Sequence, residues 1–182
     1  MNYGLPTALD VDGVWHEIRS DFRPVLDILT ALSDVELTDM DKIVVLLGIF
    51  YLERPENVQE AVKQCLWFIN GGQEDPQTQR KPTKLMDWEQ DFPILIGAIN
   101  QVAGKEVRAL EYLHWWTFLG YYMNLGDCMF AQIVSIRKKL KQGKKLEKYE
   151  SEFYRNNRHL VDFKNRYTQA EDEFIKQLLG GG

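Results

Sequence analysis

The chain has 182 residues and a mass of 21.3 kDa, the size of one ordinary domain with room for a small appendage. Its 45% hydrophobic and 27% charged residues are the balance of a globular domain and exclude wholesale disorder. Two cysteines exclude a disulfide framework, and the longest strongly apolar run, Ile43 to Leu52, is about half of what a bilayer span requires. Met1 to Pro6 lacks the charged-then-apolar pattern of a leader. The expected setting is a reducing cytosol, away from membranes.

The net charge of -5 hides a gradient. Residues 1–75 carry 5 Lys+Arg against 14 Asp+Glu, whereas residues 131–182 carry 12 against 7. Most of the excess lies between Arg137 and Lys148, with Lys138, Lys139, Lys141, Lys144 and Lys145 between them. Such a cluster attracts phosphates or an acidic protein surface. It also fits a solvated helix end, where cations complement the C-terminal dipole.

Along the chain, Ala8 to Val11 and Val14 to Ile18 flank Asp12-Gly13, which predicts a β-hairpin closed by a type I′ turn. Ser20 is expected to cap a helix that runs through Pro24 to about Leu32. Thr38 and Asp41 form a capping-box-like start for a nearly all-apolar helix over Ile43 to Tyr51. Pro55 opens a third helix, about Glu56 to Ile69, which Gly71-Gly72 stop. Gly71 to Lys84 has the composition of a long, mobile loop inserted within one domain.

The next helix is read from Phe92, just after Asp91, to near Gly104, and another over Val107 to Leu125. Asp127 would cap a helix over Cys128 to Lys141. Gly143 breaks it, Lys145 to about Arg158 follows, and Thr168 with Glu171 boxes a last helix to about Leu179. Gly180 to Gly182 reads as a flexible end. The expected fold is a mainly α, single-domain multi-helix bundle over residues 1–182 with a small N-terminal β-hairpin.

Catalytic patterns are missing from the sequence. His16, His114 and His159 have no ligand partner at helical spacing except Glu111, and a single Glu-x-x-His is a fraction of a di-metal site. Gly71-Gly72 lack the Lys-Ser/Thr of a phosphate loop, and no serine sits in a nucleophile elbow. Cys65 and Cys128 lie among apolar residues, where a buried thiol is the usual outcome. No catalytic residue, cofactor or metal is expected, and the chain does not read as an enzyme.

The most informative stretch is Leu110 to Met123. At about 100° per residue, Tyr112, Trp115, Trp116, Leu119, Tyr122 and Met123 share one helical face, and Phe118 with Tyr121 forms a second strip. A helix this apolar is either the central core helix or one that offers a strip to a partner chain. Tyr112-Leu113-His114-Trp115-Trp116 followed by Phe118 resembles the signature of the bacteriophage "gene product fifteen" family. Val11-Asp12-Gly13 with Asp21-Phe22-Arg23, Leu66-Trp67-Phe68 and Met86 to Asp91 resemble further family segments in the same order.

The resemblance implies a protein encoded beside the tape-measure gene of a siphophage or prophage. Its implied role is tail assembly chaperone: it binds the tape-measure protein, keeps it soluble and assists tail-tube subunits, in the host bacterial cytoplasm. The aromatic residues from Tyr112 to Met123 would form the partner surface, and repeated copies or a homo-oligomer would add avidity. The rival readings are a virion component of the tail or connector, and a nucleic-acid binder using the 137–148 cluster. One short basic cluster does not favour nucleic acid as the partner.

Overall fold

Asp12 and Gly13 take φ of 55° and 83°, the two positive values a type I′ turn requires. They join β1 (Ala8–Val11) to β2 (Val14–Glu17) in an antiparallel pair with Val11 opposite Val14. A hairpin this small is not stable alone. Here Leu9 and Val11 are buried, and the chain beyond β2 pairs again: Ile18 bridges Tyr51, and the Arg19 N–H donates to the Phe50 carbonyl.

This computed structural model describes residues 4–74 and 83–164. The middle of the Gly71–Lys84 loop, the helix expected from Thr168 to Leu179 and the glycine end lie outside the described residues. The chain clusters into two compact units, Met1–Ala131 and Gln132–Gly182. The described residues are mainly helical, with the hairpin as their one sheet.

In the first unit, α1 (Phe22–Ser33) packs on α2 (Asp39–Phe50), α2 on α3 (Val58–Ile69), and α3 on β1. The Thr38 capping box forms as expected: the Asp41 N–H donates to Thr38 Oγ1, and the Thr38 N–H to Asp41 Oδ2. A cap of this kind contributes about 1 kcal/mol. Phe50, Ala61, Cys65 and Phe68 are buried where these helices meet, and burial pushes the Cys65 thiol well above its ordinary pKa. The Tyr51 hydroxyl is buried as well and donates to the Ala61 carbonyl.

Several expected boundaries move. Asp21, not Ser20, caps α1, accepting the Arg23 N–H at 3.0 Å. Asn57 caps α3, so Pro55 stands before the helix instead of opening it. α4 (Trp88–Ala103) begins one turn before Asp91, capped by Asp87, and Asp91 turns back to accept the Asp87 N–H. Pro93 therefore lies within α4, where it has no N–H to offer the Glu89 carbonyl. Gly104 ends α4 with φ of 68°.

The largest correction concerns the single helix expected over Val107 to Leu125. The chain there makes a 3-10 turn (Val107–Ala109), an extended stretch, and then α5 (Trp115–Met123), capped by His114. Tyr112 is thus off the helix, and its expected face with Trp115 and Trp116 does not exist. α6 (Met129–Lys141) follows, and the Ala131 N–H donates to Cys128 Sγ, so Cys128 does the capping expected of Asp127.

In the second unit the expected helix from Lys145 to Arg158 is two pieces, α7 (Lys148–Asn156) and α8 (Arg158–Val161), divided at Asn157. Ile133, Ile136 and Val161 are buried. Gly143 takes φ of 64° between α6 and α7.

Candidate partner-binding surface

The stretch that leads into α5 is held by groups from the start of α1. Asp21 Oδ2 accepts the Leu113 N–H at 2.8 Å, and the Phe22 N–H donates to the Leu113 carbonyl. The Trp115 N–H donates to the Ser20 carbonyl, while the Ser20 hydroxyl pairs with the Tyr112 hydroxyl at 2.8 Å. Arg23 is paired with Asp21 and donates through Nη2 to the carbonyls of Leu110 and Arg108. Extended backbone wins here because partners 85 to 92 residues away in sequence take the groups a helix would use for itself.

His114 caps α5 through its ring: Nδ1 accepts the Trp116 N–H at 3.0 Å, which leaves Nε2 to carry the proton and donate to the Pro6 carbonyl. Burial holds its pKa below the ordinary histidine value, partly offset by the bond to Pro6. Both indoles of α5 then bond the last carbonyls of α3. Trp115 Nε1 donates to the Ile69 carbonyl at 2.9 Å, and Trp116 Nε1 donates to that of Phe68 at 2.8 Å. Gly72, with φ of 81°, passes so close beneath Trp116 that a Cβ there would lie 2.9 Å from the ring. The glycine is required twice, for its backbone angle and for the ring above it.

Rings continue outward from this centre. Phe22 stacks on Phe118 at 4.7 Å, Trp115 stacks on Phe118, and Trp88 sits edge-on to Trp115. Tyr122 lies between Trp88 and Phe130, and its hydroxyl reaches Met86 Sδ at 3.4 Å. Burial, with the nearby Asp91 carboxylate, raises its phenol pKa. The segments singled out in the sequence (Asp21 to Arg23, Trp67-Phe68, Met86 to Asp91 and Tyr112 to Phe118) therefore converge on one aromatic centre.

Of the residues expected to meet a partner, Trp115 and Phe118 are buried and have no surface to offer. Trp116, Tyr121 and Tyr122 are half-buried, while Tyr112 and Met123 are exposed. Beside the centre, α1 and α4 leave an open groove of about 510 Å³ that the periodicity of either helix alone did not reveal. Phe22, Leu26, Trp88 and Phe92 form its apolar lining, and Arg23, Asp27, Glu89 and Arg108 contribute charge. Arg108 is held in place by Glu106 at 2.8 Å, which draws the Glu106 carboxyl down to about 2. The nearest sequence signal for this groove was the acidic-aromatic run from Met86 to Asp91.

The basic cluster divides. Arg137 is buried, donating to the carbonyls of Val161 and Leu160 and lying over the Phe163 ring at 4.2 Å. Lys139 pairs with Glu150 at 2.7 Å, and that bond raises the lysine's pKa. Lys138, Lys141, Lys144 and Lys145 remain exposed. Arg137 and Lys139 thus act within the fold and do not join an open basic surface. Among the described residues, no cluster of His, Cys, Asp and Glu has the arrangement of a metal site, and no helix is long and apolar enough to cross a membrane.

No curated protein and no solved structure matches the chain. A family model described as Bacteriophage Gp15 protein matches residues 1–163, which takes in the hairpin, the aromatic centre and the groove. On that match the chain belongs to the bacteriophage Gp15 protein family.

Proposed function

We propose that this protein is a non-catalytic tail assembly chaperone that binds the tape-measure protein in the host cytoplasm and keeps it soluble for tail-tube assembly. The observation that carries the reading is the open apolar groove between α1 and α4. A tape-measure protein is long and helical, and its apolar stripes aggregate when unshielded. An amphipathic helix laid into the groove would bury such a stripe against Leu26, Trp88 and Phe92, with the surrounding charges orienting it. Exposed Met123 and Tyr112 offer adaptable contact area outside the groove.

The test is co-expression with the tape-measure protein of the same phage, followed by pull-down at about 500 mM salt, where surface ion pairs are screened. Wild-type protein should move the tape from the pellet to the soluble fraction. Leu26→Glu with Phe92→Glu should abolish this while circular dichroism stays native. An insoluble tape with the wild-type protein refutes the reading, and finding the protein in purified particles would assign it to the virion instead. The exposed lysines favour one second reading, phosphate binding. That binding should weaken about a thousandfold or more between about 50 and 200 mM salt if several phosphates are contacted.

A further inference from the structure

Two exposed faces of opposite charge lie outside both the groove and the aromatic centre. The first surrounds the start of α2. Met40, Val44 and Gly48 recur every four residues and so form one row along that helix, and all three are exposed, Met40 at 68%. Val35 extends the apolar surface at 61% exposure in the preceding turn. A Cβ built on Gly48 would meet nothing, so the row ends in open backbone. The carboxylates of Glu36 and Asp39 are exposed beside it and have no partner among the described residues.

The second face lies on the other unit. Lys141, Lys144, Lys145 and Lys148 are exposed from the end of α6 to the start of α7, with no carboxylate paired to them among the described residues. Leu140 and Tyr149 add exposed apolar area, Tyr149 at 64%. Residues 1–131 carry 10 Lys+Arg against 20 Asp+Glu, while residues 132–164 carry 10 against 4. Each face therefore combines exposed apolar surface with an excess of one sign of charge, acidic on the first and basic on the second.

We propose that the acidic Met40–Val44 face of one copy docks on the lysine-rich face of a second copy, giving a head-to-tail homo-oligomer. The contact is heterologous, so every copy presents one used and one open face until the assembly closes or is capped. Opposite charges steer the encounter and fix its register, while Met40, Val44 and Tyr149 supply the desolvated contact. The contact does not depend on tape-measure binding.

The test is light scattering on the nuclease-treated full chain across protein concentration. At about 50 mM salt the mass should rise above that of the 21.3 kDa monomer, and the association should weaken at least about tenfold at about 500 mM salt. Glu36→Lys with Asp39→Lys should yield monomers, as should Lys144→Glu with Lys145→Glu. Mixing the two variants should restore assembly, because the reversed head meets the reversed tail. Thermal melts guard against misfolding, and Met40→Ser weakens the same contact without altering charge. A monomer at every concentration overturns the proposal. So does association that survives both reversals, failure of the mixture to reassemble, or association lost on nuclease treatment.

Discussion

The aromatic centre of the first unit turns its charge inward, whereas the lysine-rich segment of the second divides its charge between the fold and the solvent. In the centre, Asp21 and Arg23 turn inward onto backbone groups near Leu110 and Leu113, so charge fixes the path of a chain distant in sequence. In the second unit Arg137 and Lys139 do similar work over a short range, while the lysines between and beyond them stay in water. A run of like residues in sequence is therefore not a surface until burial has sorted it. The same sorting applies to the apolar residues of the Tyr112–Met123 stretch: Trp115 and Phe118 build the core, whereas Tyr112 and Met123 are left outside.

Breaking the centre should have the largest effect. Trp115→Ala removes a fully buried ring and leaves the Ile69 carbonyl without its indole donor, so a loss of about 3–5 kcal/mol is expected in urea unfolding. Arg137→Met keeps the stem but strips two carbonyls of a charged donor, with an expected loss of about 1.5–3 kcal/mol. Hydrogen exchange should locate that loss at Val161 and Asp162. If Arg137→Met is silent, the contrast between buried and solvated cations in the cluster fails.

A smaller effect is expected from His114. Its folded pKa is lowered, so the unfolded chain takes up the proton first. Its contribution is fully present above about pH 6.5 and is lost as pH falls from there toward the folded value. The urea midpoint should therefore drop between about pH 7 and pH 5.5 in the wild type. His114→Asn, which keeps a capping acceptor, should flatten that slope. Smallest of all, Lys144→Ala should change stability by less than about 0.5 kcal/mol, because the side chain is exposed and has no ion pair among the described residues. A larger change would place Lys144 with Lys139 among the structural cations.

The readings that held were those whose partners lie within a few residues. The Asp12-Gly13 turn, the Thr38–Asp41 box and the glycine stops after α3 and α4 all satisfy themselves locally. The reading of Val107 to Leu125 as one helix failed for the opposite reason. Its apolar pattern suits a helix, but Asp21, Phe22 and Arg23 claim the backbone of Leu110 and Leu113 from far upstream. The groove was illegible on similar grounds, since Leu26 and Phe92 belong to separate helices and each looks like an ordinary apolar position on its own.

By itself, then, the sequence determined the mainly helical fold, the hairpin and the order of the segments that mark the family, because turn angles, caps and helical periodicity are written in neighbouring residues. Tertiary structure alone decided that Trp115 and Trp116 would bond the last carbonyls of α3, that His114 would reach the Pro6 carbonyl, and which aromatics and lysines reach the surface. The physical reason is that a hydrogen bond or a buried ring is satisfied by whatever lies beside it in space. Here those neighbours come from residues 46 to 108 positions away.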